Sequence, residues 1–136
     1  MKRAMQIFGW IFGCVFLLGG TPLAAAQEGV VDVTPAQVMY RDVDVVFLDV
    51  RTPKEYQQGH IVGAVNIDIR GADFAAQINR LDRNKMYIVH CAANVDDGRA
   101  ERALRGMHAI GFTRLENLRG GYNAWVNAGG PVVEGP

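Results

Sequence analysis

Cys91 is the residue of this chain best suited to nucleophilic chemistry, because a cysteine thiolate is an intrinsically strong nucleophile. The chain has 136 residues and two cysteines, and the other cysteine, Cys14, lies in an apolar stretch near the N-terminus. Met86 to His90 reads as a strand that leads directly into Cys91. A lone cysteine more often serves as a small buried hydrophobic residue, so its role depends on where the fold places it.

The residues after Cys91 predict a loop that ends at the start of a helix. The loop covers Ala92 to Gly98, and the helix from Arg99 to Ile110 has apolar residues on one side. A cysteine that faces a helix N-terminus experiences partial positive charge and unpaired backbone N–H groups. These features favour the thiolate and can also hold an anion, so the order of strand, cysteine, loop and helix favours a reactive role for Cys91.

Strands and helices alternate along the chain, which predicts an α/β fold with a central parallel sheet and helices on both faces. The predicted strands cover 30–33, 45–50, 64–69, 86–90 and 114–118. The predicted helices cover 36–41, 52–58, 73–81, 99–110 and 122–128. Sites in such sheets form at the carboxyl ends of the strands, which is where Cys91 lies.

The N-terminus predicts an exported protein. Two basic residues precede an apolar run from Ile7 to about Gly20, and a stretch of small residues then ends at Ala26. This order is typical of a secretory signal peptide, and the run is shorter than the ~20 apolar residues that span a bilayer. We therefore predict a signal peptide over 1–26 and one exported, periplasmic domain over 27–136, with an uncleaved anchor as the alternative.

The charge balance gives no reason to expect a polyanionic partner. The chain has 14 basic and 14 acidic residues, and without 1–26 it has 12 basic and 14 acidic residues, a net charge of −2. We expect no nucleic-acid partner and, after signal cleavage, no stable membrane association. Cys91 is then the only thiol, so no intramolecular disulfide can form. No spacing of histidine, cysteine or acidic residues suggests a metal site, and no cofactor is expected.

Three blocks of the sequence resemble the rhodanese-like domains. The blocks are Leu48 to Tyr56 with Gly59-His60-Ile61 and Gly63 to Asn66, then Val89-His90-Cys91 with Gly98-Arg99-Ala100, then Leu118 to Trp125 with Gly129 and Pro131. They occur in the family's order and cover nearly all of residues 30–133. The resemblance implies a small doubly wound α/β domain. Its cysteine would accept a sulfane sulfur from thiosulfate or a similar donor as a persulfide, and pass it to cyanide or a thiol.

The resemblance also implies roles for individual residues. Cys91 would be the nucleophile, and the backbone N–H groups of the loop would hold the donor and the persulfide. The loop residues are Ala92, Ala93, Asn94, Val95, Asp96, Asp97 and Gly98. Arg99 matches the family's loop-closing arginine, whose fork of donors suits loop carbonyls or an oxyanion. Beside the site, one hydrogen-bonded network is expected from Asp49, Arg51, Glu55 and His60, with a solvated cluster as the alternative.

The loop departs from the family's usual pattern. Common rhodaneses have four residues between the cysteine and the arginine of the loop (C-x4-R), and related phosphatases and arsenate reductases have five (C-x5-R). In this chain seven residues separate Cys91 from Arg99 (C-x7-R), and they include Asp96 and Asp97. If the two carboxylates face the site, they would disfavour the thiolate and repel thiosulfate. If they instead point outward at the start of the following helix, their negative charge would stabilise that helix. A longer loop could admit a bulkier donor such as a protein persulfide. A non-catalytic binding module and a phosphatase-type or arsenate-reductase-type enzyme are the alternative functions.

We predict that the chain, expressed with its N-terminus intact in a Gram-negative bacterium, is exported and begins at Gln27. The reason is the small-residue cleavage site that ends at Ala26. The intact mass of the protein in a periplasmic extract measures the cleavage site. As a control, Leu17→Arg with Leu18→Arg interrupts the apolar run and should keep the chain uncleaved. A full-length mass in the membrane fraction would indicate the anchor instead.

Overall fold

The computed structural model describes residues 29–32, 36, 42–93 and 98–136. The predicted signal segment and residues 94–97 of the loop after Cys91 lie outside the described residues. The strands are β1 Gly29–Val31, β2 Val45–Asp49, β3 His60–Ile61, β4 Val65–Asn66, β5 Met86–His90, β6 Leu115–Leu118 and β7 Val132–Val133. The helices are α1 Pro53–Gln57, α2 Phe74–Asn79, α3 Arg99–Ala109 and α4 Gly121–Asn127. None of these helices is long and apolar enough to cross a bilayer.

Five strands form one sheet in the order β1-β6-β5-β2-β4, and all of its neighbouring strands are parallel. The short strands β3 and β7 form a separate antiparallel pair. In the main sheet Asp49 at the end of β2 lies beside His90 at the end of β5. The carboxyl ends of the two central strands therefore meet at one edge of the sheet, as the sequence predicted.

Helices cover both faces of the sheet because alternate residues of its strands point to opposite sides. Leu48 and Val89 belong to the buried cluster that contains the apolar side of α3. Phe47 and Ile88, their neighbours along the strands, belong to a second cluster with Trp125 of α4. The Trp125 ring meets the Phe47 ring edge-on at 5.2 Å. The predicted parallel sheet between two helical layers is thus confirmed.

Some element boundaries differ from the prediction. The strand expected over 64–69 is limited to β4, because the chain turns at Asp68, whose carbonyl oxygen accepts a hydrogen bond from Gly71 N at 2.9 Å. The pair formed by β3 and β7 was not predicted, since two-residue strands leave no periodicity to detect. Ala36 is helical and buried, but the other residues of the predicted helix 36–41 lie outside the described residues.

Gly120 and Gly121 turn the chain sharply from β6 into α4. Both have left-handed backbone conformations, with φ angles of 74° and 61°. A Cβ atom on Gly121 would lie 2.6 Å from the carbonyl oxygen of Cys91, closer than van der Waals contact allows. The absence of a side chain at Gly121 therefore lets the start of α4 approach the backbone of the cysteine.

We expect Gly121→Ala to lower the free energy of unfolding by at least ~1–2 kcal/mol, the cost of a left-handed residue with a side chain. The clash with the Cys91 carbonyl adds to this cost. Urea denaturation measures the change. Gly106→Ala is the matched control, because Gly106 lies within α3 and a Cβ atom there has no neighbour within 4 Å. The free energy of unfolding of this control should rise by about 0.5–1 kcal/mol, because alanine is favoured over glycine inside a helix. Equal effects of the two substitutions would contradict the argument.

Candidate active site

Cys91 follows the last residue of β5 and is 3% exposed. It belongs to the buried apolar cluster on the α3 side of the sheet. Its Sγ donates a hydrogen bond to the carbonyl oxygen of Ala93 at 3.0 Å. This bond requires the protonated thiol, because a thiolate has no hydrogen to donate. A thiolate would repel the carbonyl oxygen, so deprotonation requires the Ala93 peptide to turn away.

The start of α4 is bonded to the backbone carbonyl groups of two successive residues, Cys91 and Ala92. Tyr122 N donates to the carbonyl oxygen of Cys91 at 2.9 Å, and Asn123 N donates to that of Ala92 at 2.9 Å. The first residue of the predicted loop, Ala92, is therefore fixed. At its other end, Gly98 is the N-cap of α3 and Arg99 is its first residue.

The central residues of the predicted donor-binding loop, Asn94, Val95, Asp96 and Asp97, lie outside the described residues. The cradle of backbone N–H groups therefore stays a prediction, and so does the orientation of the two acidic side chains. What the described residues establish is the fixed position of both ends of this loop.

Glu55 and Arg99 form a bidentate ion pair that joins α1 to the start of α3. Arg99 Nη1 and Nη2 donate to Glu55 Oε2 and Oε1 at 2.7 and 2.9 Å. Glu55 also caps α1, because its Oε2 accepts hydrogen bonds from the N–H and the hydroxyl of Thr52. The Arg99 hydrogen bonds lower the pKa of Glu55 from 4.5 to about 2, against a smaller opposing effect of burial.

The same ion pair raises the pKa of Arg99, and the Cys91 sulfur, when ionised, raises this pKa further by electrostatic attraction. Arg99 thus places a positive charge near the cysteine. Its two terminal nitrogens are bound to Glu55, however, where the resemblance led us to expect loop carbonyls or an oxyanion. The reason is geometric, because the fork of a guanidinium matches both oxygens of one carboxylate.

Asp49 and Arg51 form a second ion pair, which is almost completely buried. Arg51 Nη2 lies 2.6 Å from Asp49 Oδ2, and the Arg51 backbone N–H donates to Oδ1 at 3.0 Å. Arg51 also donates to the carbonyl oxygen of Gly59 at 2.8 Å. The Tyr122 ring lies over the guanidinium, 4.1 Å from its carbon to the ring centroid. The pair is therefore well supplied with partners, which a buried pair needs to offset its desolvation.

The expected single network of Asp49, Arg51, Glu55 and His60 is wrong for the described residues. The acidic residues belong to two separate ion pairs, since Glu55 binds Arg99 and Asp49 binds Arg51. Among the described residues His60 hydrogen-bonds to neither pair, and its Nδ1 lies 3.0 Å from the carbonyl oxygen of Tyr56. Its ring stacks on the Tyr56 ring at 3.6 Å. His60 is therefore held by structural contacts at α1.

Three residues that contact the site were given no role there by the sequence analysis. Asn66 donates to the carbonyl oxygens of Asp49 and Arg51, both at 2.9 Å, and so holds the turn after β2. Tyr122 covers Arg51, and His90 has Nδ1 3.3 Å from the carbonyl oxygen of Cys91. The Thr52 and Glu55 spacing of a capping box was a detectable signal, but the other contacts depend on tertiary structure. Within the described residues no three metal-binding side chains cluster.

The fold and the position of the cysteine agree with a family assignment from sequence comparison. Residues 32–128 match the family described as rhodanese-like domain, and this match covers most of the chain. The chain therefore belongs to the rhodanese-like domain family.

Relatives in this family include enzymes named for sulfur transfer. The chain is 37% identical over 96 residues to thiosulfate sulfurtransferase 16, chloroplastic, of Arabidopsis thaliana, an alignment covering 63% of this chain and 78% of the relative. It is 35% identical to thiosulfate sulfurtransferase PspE of Escherichia coli (strain K12), covering 54% of this chain and 68% of the relative. Sulfurtransferase chemistry is thus supported at the level of the family.

Solved structures confirm the fold. The Alr3790 protein from Anabaena sp. aligns with a TM-score of 0.69 at 26% identity and covers 77% of this chain and 92% of the other. A rhodanese-related protein from Thermoplasma volcanium aligns with a TM-score of 0.65 at 27% identity and covers 78% of this chain and 98% of the other.

We predict that Glu55→Gln flattens the pH dependence of stability in acid. The lowered pKa of Glu55 means that the ion pair stabilises the fold above pH 4.5 and that this contribution is lost as the pH falls from 4.5 towards 2. Because Glu55 is partly exposed, solvent screening limits the loss at pH 7 to about 1 kcal/mol. Urea denaturation at pH 7 and at pH 3 measures the difference in free energy of unfolding between the variant and the parent.

Glu134→Gln is the matched control, since Glu134 is exposed and lies near the C-terminus. Its stability should follow that of the parent at both pH values. If Glu55→Gln also followed the parent at both values, the ion pair would make no net contribution to folding.

Proposed function

We propose that this protein is a sulfurtransferase that carries a sulfane sulfur on Cys91 as a persulfide. The observation that carries the proposal is the free cysteine at the carboxyl end of β5 within a rhodanese-like domain. Relatives named thiosulfate sulfurtransferase support the same chemistry. The donor is thiosulfate or a similar small sulfur compound, with a protein persulfide as a bulkier candidate.

The proposed reaction has two displacements at sulfur. The Cys91 thiolate attacks the outer sulfur of thiosulfate, the S–S bond of the donor breaks, and sulfite leaves with the bonding electron pair. An acceptor such as cyanide then attacks the terminal sulfur of the persulfide. The new S–S bond breaks, thiocyanate forms, and the thiolate of Cys91 is regenerated. No oxidant or reductant is consumed with this acceptor.

The burial of Cys91 sets a requirement for this reaction. At 3% exposure the Cys91 side chain offers almost no accessible surface to a donor. The proton of the thiol must also leave, which breaks the hydrogen bond to the Ala93 carbonyl. Loading should therefore depend on the orientation of the Ala93 carbonyl.

The same burial favours a second candidate function, a binding module that keeps the fold and uses Cys91 only as a core residue. The two functions differ in whether sulfur becomes attached to Cys91. In either case we propose that the domain works outside the cytoplasm, because a signal peptide is predicted over 1–26. Turnover then needs an external acceptor, since the predicted mature chain has no second cysteine.

We expect the mature protein to gain one sulfur atom, about 32 Da, when it is incubated with thiosulfate, because the persulfide is the stable intermediate between the two displacements. Intact-mass spectrometry measures this gain, and thiocyanate formation after addition of cyanide measures the second displacement. Cys91→Ser is the control and should show neither signal.

A folded sample with no gain in mass, with thiosulfate or with a low-molecular-weight persulfide as donor, would leave the binding module as the function. Turnover of a phosphate ester or of arsenate in the same sample would instead assign the chain to the hydrolase or reductase class.

A further inference from the structure

His90 is a buried titratable side chain that the proposed reaction does not use. It is the last residue of β5, directly before Cys91, and it is completely buried. Its ring lies on the Phe47 face of the sheet, with ring centroids 6.5 Å apart in an edge-on arrangement. Since successive strand residues point to opposite faces, the Cys91 side chain lies on the other face, towards α3.

The contacts of the imidazole define its protonation state. Nδ1 lies 3.3 Å from the carbonyl oxygen of Cys91. A carbonyl oxygen only accepts hydrogen bonds, so Nδ1 must carry a proton in this contact. Nε2 is buried and has no hydrogen-bond partner among the residues that the structure describes. A proton on Nε2 would be a buried donor without an acceptor, so the contacts favour the neutral Nδ1–H tautomer of His90.

The electrostatic surroundings agree with a neutral ring. Burial is the largest influence and lowers the pKa of His90, and Arg51 lowers it further. Asp49 and the Cys91 carbonyl act in the opposite direction but do not outweigh the burial. Because Asp49 is already paired with Arg51, it provides little net negative charge to hold a second proton on the imidazole.

The carbonyl oxygen of Cys91 therefore accepts two hydrogen bonds, from His90 Nδ1 and from the Tyr122 backbone N–H. Both donors lie on the α4 side of the sheet, where Trp125 and Phe47 pack. The described chain has no cis peptide bond, and in a trans peptide the C=O and N–H groups point in opposite directions. Holding this carbonyl towards α4 directs the N–H of Ala92 towards the face that carries the Cys91 thiol.

We propose that His90 is a positioning residue for the nucleophile: its Nδ1–H fixes the Cys91–Ala92 peptide so that the Ala92 N–H faces the thiolate. The bond to the carbonyl also polarises this peptide and increases the partial positive charge on its N–H group. His90 thereby favours the charged form of the thiol without touching the sulfur. The inference rests on the proposed role of Cys91 as the reactive thiol.

The test compares two substitutions of nearly equal shape. Asn has an Nδ2 donor close to the position of His Nδ1, whereas Leu has the same branching and no donor. The second-order rate of Cys91 alkylation by iodoacetamide is measured from pH 5 to pH 10. At pH values below the midpoint of the profile, His90→Leu should slow alkylation about three- to tenfold, which corresponds to the loss of one hydrogen bond. The midpoint itself should move to higher pH. His90→Asn should recover most of the parent rate.

Two outcomes would overturn the proposal. One is a His90→Asn profile that coincides with that of His90→Leu, since this would mean that only the volume of the ring matters. The other is a parent-like profile for both variants. Circular dichroism spectra and thermal midpoints show whether each variant is folded before its rates are compared.

A measurement on the unaltered protein decides the question if His90→Leu does not fold. Long-range ¹⁵N–¹H correlation spectra report the tautomer of each histidine, and His90 should be the Nδ1–H form at pH 7. An Nε2–H tautomer or an imidazolium at that pH would overturn the proposal. These readouts do not need sulfur transfer, so absence of a persulfide would refute the proposed function and leave the test of His90 valid.

Discussion

The hydrogen bond from the Tyr122 amide to the carbonyl oxygen of Cys91 is the contact on which the geometry of the site depends. It joins the end of the central strand β5 to the first turn of α4, and it is possible because Gly121 has no side chain. The neighbouring bond from Asn123 to Ala92 extends this contact by one residue. The cysteine is thus held at the sheet edge by backbone atoms, whose positions do not depend on rotamer choice.

The two ion pairs beside the cysteine have different consequences. The pair of Asp49 and Arg51 is buried and has many partners, so removing either member would leave an unpaired charge in the core. The pair of Glu55 and Arg99 is partly exposed and connects segments that are 44 residues apart in sequence. The first pair therefore fixes the turn after β2, while the second fixes the start of α3.

The sequence was sufficient to predict the layers of the fold and the position of Cys91 at the carboxyl end of a strand of the parallel sheet. Apolar strands alternating with helices predicted the parallel sheet, because the signal for each strand and helix is local. The partners of Glu55 and Arg99 were not predicted, since a long charged side chain can reach several acceptors and only the tertiary structure selects one. The contact of His90 with the Cys91 carbonyl was missed for a related reason, because alternation in a strand says nothing about ring nitrogens and backbone oxygens.

The anchoring of both ends of the loop has a consequence for how the domain can diversify. Cys91 and Ala92 are tied to α4, and Arg99 is tied to Glu55, so the seven residues between Cys91 and Arg99 begin and end at fixed points. The entropic cost of closing a loop rises slowly with loop length, by only ~0.6 kcal/mol for each doubling of the number of residues. Insertions and deletions between these two points should therefore leave the scaffold intact, so evolution or a protein engineer can change the length of this loop without redesigning the core.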